Sequence, residues 1–154
     1  MKLNEELEIN YIPEGFHVMD SEELSSLKAY GGQPNWCIKD PERHIIITVS
    51  WKKSGFAALL TSSGEVARSM EKHISKASEP FGYELQGFIT RNLGEKTTDG
   101  FCYTYTAQGI PMTTETHSLK NKKMFYYINI YMRTELLSES ETTTASILES
   151  CHWS

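Results

Sequence analysis

Apolar residues in this chain switch between a period of two and a period near 3.6, and the switches mark its elements. Leu7, Ile9 and Tyr11 alternate with Glu6, Glu8 and Asn10, the pattern of an outer strand with one wet face. Ile45, Ile47, Val49 and Trp51 take one side of a second strand and Ile46 the other. Met124, Tyr126, Ile128, Ile130 and Met132 share one side of a third, with Phe125, Tyr127 and Tyr131 opposite. A strand that is apolar on both sides must be covered on both sides. Tyr83, Leu85, Ile89 and Leu93 are expected on one face of a long strand, with Gly87 among them, and Phe101, Tyr103 and Tyr105 alternate with Cys102, Thr104 and Thr106. Met112 to Leu119 and Lys123 to Arg133 pair around a tip at Lys120-Asn121-Lys122.

Three stretches read as helices, each opened by a capping side chain with a glutamate three residues on, which satisfies orphan backbone N–H groups. Asp20 to Glu23 opens a helix to about Tyr30, stopped by Gly31-Gly32; Ser62 to Glu65 opens one to about Ala77, with a stripe of Val66, Met70, Ile74 and Ala77. Ser138 to Glu141 opens a third, to about Ser150. With no repeat, linker or low-complexity tract, residues 1–154 are expected to form one domain. Its class is α+β: an α/β/α sandwich with a central, mainly antiparallel sheet and helices on both faces.

Between Asn35 and Lys53 lie two tryptophans, a cysteine, two acids, an arginine and a histidine. Asp40-Pro41-Glu42-Arg43 has the chemistry of a type I turn. A simple register then pairs Ile38 with Ile45 and Trp36 with Ile47, and sets Cys37 opposite Ile46 on the other apolar face. The stretch reads as a hairpin, and its turn is too solvated to raise a carboxyl pKa for acid–base work.

Composition narrows the function. Twenty acidic residues against 15 basic give a net charge of −5, and the nearest thing to a basic cluster is Lys120, Lys122 and Lys123 at a hairpin tip. A nucleic-acid partner is not expected. The three cysteines, odd in number and far apart, suit free thiols in a reducing compartment. No apolar leader is visible in the first twenty residues and no apolar run reaches the roughly 20 residues that span a bilayer, so no membrane insertion is expected and the location is read as cytoplasmic.

Candidate chemistry is sparse. No two of the five histidines stand at a ligand-pair spacing, and no phosphate loop or nucleophile elbow is present; the expectation is no metal, no cofactor and no catalytic residue. Aromatic residues stand out instead. Phe101, Tyr103, Tyr105, Tyr127 and Tyr131 on neighbouring strands, with Phe56 from the apolar run Ser54 to Leu60, either pack as core or line a partly open groove.

The order of elements resembles the PsbP-like superfamily, which includes the Mog-type Ran-binding import factor, photosystem accessory subunits and bacterial relatives. Pro13-Glu14-Gly15-Phe16 after the first strand is similar to that family's Pro-x-Gly-aromatic turn, and Ile147 to Ser150 to the element closing its last helix. The resemblance implies a sandwich without a catalytic site, acting by binding proteins, and this chain looks most like the bacterial cytoplasmic members. The expected function is a non-enzymatic protein-binding module, adaptor or chaperone-like, with Phe56, Phe101, Tyr103, Tyr105, Tyr127 and Tyr131 as its surface. The alternatives are a small-ligand binder or enzyme with a site assembled from distant residues (Cys102 with His117, or His17 with Asp20), and a homodimer paired through Leu7 to Tyr11.

Overall fold

The computed structural model describes residues 1–27, 32–55 and 60–154, and in it the two strands read as apolar on both sides lie side by side in the interior of a sheet. Strands β2 (His17–Val18), β3 (Trp36–Asp40), β4 (Ile45–Lys53), β5 (Glu84–Leu93), β6 (Lys96–Ala107), β7 (Ile110–Asn121) and β8 (Met124–Arg133) take the order β2-β3-β4-β8-β7-β6-β5. Every neighbouring pair is antiparallel. A second sheet pairs β1 (Leu7–Ile9) with β9 (Cys151–Trp153). The expected pairing of two protomers through Leu7 to Tyr11 loses its open strand: β9 takes one side, and Lys2 bridges to Glu8.

Two apolar clusters form on opposite sides of the large sheet. One joins Ile38, Ile45, Ile47 and Val49 to Tyr126, Ile128, Ile130 and Met132, and is closed by Ile147 and Leu148 of helix α3 (Leu137–Glu149) and by the β1–β9 pair. The other joins Phe101, Tyr103, Phe125 and Tyr127 to Met70, with Val66 and Ile74 beside it, all three from helix α2 (Ser63–Ser78). Each fully buried aliphatic or aromatic side chain contributes about 1.5–3 kcal/mol, more than the roughly 1 kcal/mol of a cap. The faces therefore dictate register. In the β3–β4 hairpin, Ile38 pairs with Ile47 and Trp36 with Val49, two residues from the expected register. A shift of two keeps every side chain on its face, whereas a shift of one reverses them all. The loop is longer than a simple turn because His44 takes a left-handed φ of 56°, and Asp40 ends β3, with its Oδ1 accepting from the Glu42 and Arg43 N–H groups.

The helices depart from expectation at their ends. In helix α1 (Ser21–Ser25) the expected capping box is present at Asp20 and Glu23, but the helix stops far short of Tyr30. The Ser25 and Ser26 hydroxyls bond the Glu22 and Glu23 carbonyls, a local competitor to helix propagation. The expected stop at Gly31-Gly32 falls partly outside the described residues. Ser62 caps α2 as expected, but Ala77 is exposed. Ser138 does not cap α3: a 3₁₀ turn over Thr134–Leu136 leads into the helix one residue earlier, at Leu137, and no side chain caps it.

Strand β5 breaks the expected alternation. A bulge between Leu85 and Gly87, with Gly87 at φ 153°, sets Leu85 and Phe88 opposite Tyr103 and Phe101. Ile89 and Leu93 then face the other way. An extra residue in a strand reverses the parity of every later position, and the backbone conformation at Gly87 favours glycine.

Candidate functional site

On the α2 side of the sheet the aromatic strands make a ladder. Ring centroids stand 6.0 Å apart for Phe88–Phe101, 5.7 Å for Phe101–Tyr103 and 5.7 Å for Tyr103–Tyr105, distances at which rings attract. Phe101, Tyr103 and Tyr127 are buried, while Tyr105 and Tyr131 are half-buried. Burial pushes the Tyr131 phenol up to about 12. Phe56 lies outside the described residues. This corrects the expected aromatic surface: Phe101, Tyr103 and Tyr127 are core beneath α2, because Met70, Val66 and Ile74 need that face to bury their own stripe.

Exposed apolar side chains gather instead at the far edge of the sheet. Among the described residues, strand β5 (ten residues) is hydrogen-bonded as a strand only to β6 and leaves its other side open. The Arg91 amide points toward β6, where it meets Thr98 Oγ1 at 3.3 Å, so strand alternation turns the Thr90 amide outward. Phe88 is 51% exposed, Leu85 39%, and Phe81, just before the strand, 54%. Beside them a groove of about 640 Å³ runs between Phe88, Ile89 and Thr90 on one side and Gly64 and Ala67 of α2 on the other. Arg68 borders it without a carboxylate partner among the described residues, whereas Asp99 is held by the Ser63 hydroxyl. The sequence alternation puts Leu85 on one face with Tyr83, Ile89 and Leu93 and leaves Phe88 unassigned. The available signal was Gly87 itself, since an isolated glycine within a strand marks a bulge.

The other side of β5 is closed. Arg91 Nε and Nη2 donate to the two Glu115 oxygens at 2.5 and 2.7 Å. His117 Nε2 lies 2.8 Å from Glu115 Oε1, and its Nδ1 lies 2.8 Å from Thr98 Oγ1. Glu115 and His117 are buried. Burial alone would raise the Glu115 pKa, but hydrogen bonds from Arg91 and His117, with Arg91's charge, outweigh it and hold the carboxyl at about 2. The His117 ring lies against Gly100, where an added Cβ would stand 2.3 Å from Nδ1 and 2.5 Å from the Thr116 carbonyl.

These contacts bear on the alternative sites. Both His117 ring nitrogens are engaged, and neither partner is Cys102. The Cys102 thiol is pushed up to about 11, chiefly by burial, then by Glu115 and Glu141. Burial likewise pushes Cys37 and Cys151 up to about 12, and all three cysteines are free. His17 bonds Glu23 at 2.8 Å, while Asp20 is spent on the α1 cap. Among the described residues, no group of three or more His, Cys, Asp and Glu is placed to hold a metal ion, and no helix is long and apolar enough to cross a membrane.

No protein-family model matches the sequence, and no curated protein matches it. Solved structures are similar in fold. LpqN of Mycobacterium tuberculosis, involved in cell envelope biogenesis, superposes with a TM-score of 0.62 at 14% identity, over 96% of this chain and 83% of that one. The cyanobacterial PsbP of Synechocystis gives 0.60 at 11% identity, over 97% and 93%. A Bacteroides thetaiotaomicron protein gives 0.58 at 11% identity, over 96% of this chain but 45% of its own. At these identities the likeness is one of fold, and the fold of this chain is PsbP-like.

Proposed function

We propose that the protein is a non-enzymatic binding module, adaptor or chaperone-like, that takes an extended segment of a partner protein on the open edge of β5. The carrying observation is the coincidence of an outer strand edge, unpaired among the described residues, with exposed Phe81, Leu85 and Phe88. Unpaired edges are ready templates for an added strand, and proteins that do not use them blunt them with charge or proline. The bulge at Gly87 blunts the first part of this edge and leaves Phe88 to Leu93 as the straight part, which carries no proline and whose one charge, Arg91, is turned onto Glu115. An α/β/α sandwich in the cytoplasm, with its aromatic ladder as core and Phe88 as the ladder's exposed end, is the setting of this reading. Engaged histidine nitrogens and raised thiols support the non-enzymatic half.

Photo-crosslinking from position 88 in the native host, with Thr90→Pro as comparator, tests it. Proline removes an outward N–H and leaves the pairing with β6 intact. The expected result is one dominant cross-linked protein, lost in Thr90→Pro at unchanged melting temperature. A cross-link that survives Thr90→Pro contradicts strand addition, and a product of twice the chain mass replaces the foreign partner with a second copy of this chain.

A further inference from the structure

The β3–β4 loop, the β6–β7 turn and the last residues of β8 enclose a cleft of about 380 Å³. Its apolar lining is Ile46, Ile110, Met112 and Tyr131, all half-buried. Two cations border it. The Lys39 side chain is exposed and has no hydrogen bond or ion pair among the described residues, and Arg133 has only Glu135, at 3.5 Å and itself 65% exposed. Such a solvent-exposed pair contributes little and is easily exchanged.

Among the described residues that line the cleft, the one acid is already spent. Asp40 is 2% exposed, with Oδ1 held by the Glu42 and Arg43 amides and Oδ2 by the Arg43 guanidinium at 2.8 Å. The cleft is thus locally cationic in a chain whose net charge is −5. It offers no open backbone edge, because tight connections close the strands on both sides, which disfavours an added strand. Its volume lies in the lower part of the range of small-molecule sites, about 300–1,000 Å³.

We infer that this cleft binds a small anionic amphiphile, with its apolar part on Ile46, Ile110, Met112 and Tyr131 and its anionic head between Lys39 and Arg133. An arginine fork suits a planar carboxylate, and a lysine completes it as a point charge. His44 and Gln108 stand at the same mouth and extend the polar rim. The site is independent of the β5 edge.

Octanoate is the probe, followed by amide NMR titration of the full chain, with octanol as the uncharged tail and inorganic phosphate as the tailless anion. The expected result is saturable shifts at Ile46, Ile110, Met112 and Tyr131 with octanoate, and at least about tenfold weaker binding of octanol and phosphate. The double variant K39E/R133E is expected to weaken octanoate about tenfold or more, with the rest of its spectrum unchanged as proof of folding. Absence of saturable shifts, shifts centred elsewhere, or equal affinity in K39E/R133E would overturn the site. Octanol binding as well as octanoate would overturn its anionic character.

Discussion

Strand β5 presents two regions that differ in every physical respect. Toward the interior, Arg91 is locked onto Glu115, which also meets His117, and His117 is held in turn by Thr98, all by short hydrogen bonds. Toward the open side, Phe88 and Thr90 have no strand beyond them among the described residues. One region holds charges that cannot be unpaired cheaply; the other holds apolar surface and an unpaired backbone at no cost to the core. Changes on the inner side should therefore register as stability, and changes on the outer side as binding.

The largest effect is expected from Arg91→Met. It leaves Glu115 buried with its charge uncompensated, at a cost of about 3–5 kcal/mol in urea unfolding. Adding Glu115→Met should recover part of that loss, because the double change removes both charges together; full additivity would show that the pair is not a unit.

Acid should produce the next effect. Glu115 has a folded pKa of about 2, below its ordinary value near 4.5, so the folded state binds this proton less readily than the unfolded one. Its contribution is fully present above about pH 4.5 and lost as pH falls toward 2, roughly 3 kcal/mol in all. A pH series of urea midpoints that stays flat between 5 and 2.5 after subtracting the Glu115→Gln series would contradict this.

Gly100→Ala ranks third. A Cβ there meets the His117 ring and the Thr116 carbonyl, and overpacking of this kind costs about 1–3 kcal/mol. The methyl should also displace the His117 ring from Thr98, which a histidine side-chain NMR signal would report. Smallest is Phe88→Asp, which gives up the ring contact with Phe101 at about 1 kcal/mol while abolishing capture of the partner. A large loss of stability there would place Phe88 in the core and erase the contrast between the two regions.

The sequence made some of this legible and hid the rest for definite reasons. Double-sided apolarity in residues 124–132 placed that strand at the centre, because burial on two faces has no other solution. Caps at Asp20 and Ser62 were readable because they act within four residues. The hairpin faces were readable but its register was not, since the left-handed His44 lengthens the loop without a glycine to announce it. The β5 edge was misread because the bulge beside Gly87 reverses the parity of the residues after it. Glu115 gave no signal: it sits among threonines, and its partners Arg91 and His117 are joined to it by strand order. Strand β9 was not anticipated, as three residues carry too little pattern.

Whether the outer side of β5 is a docking strand can be read at a single amide. Hydrogen exchange at Thr90, measured in the free protein and in the cross-linked complex, addresses it without intermediaries. A docking strand requires fast exchange in the free protein and strong protection in the complex, with Arg91 protected in both. Equal exchange of Thr90 in the two states would contradict it, and would mean that the partner sits elsewhere.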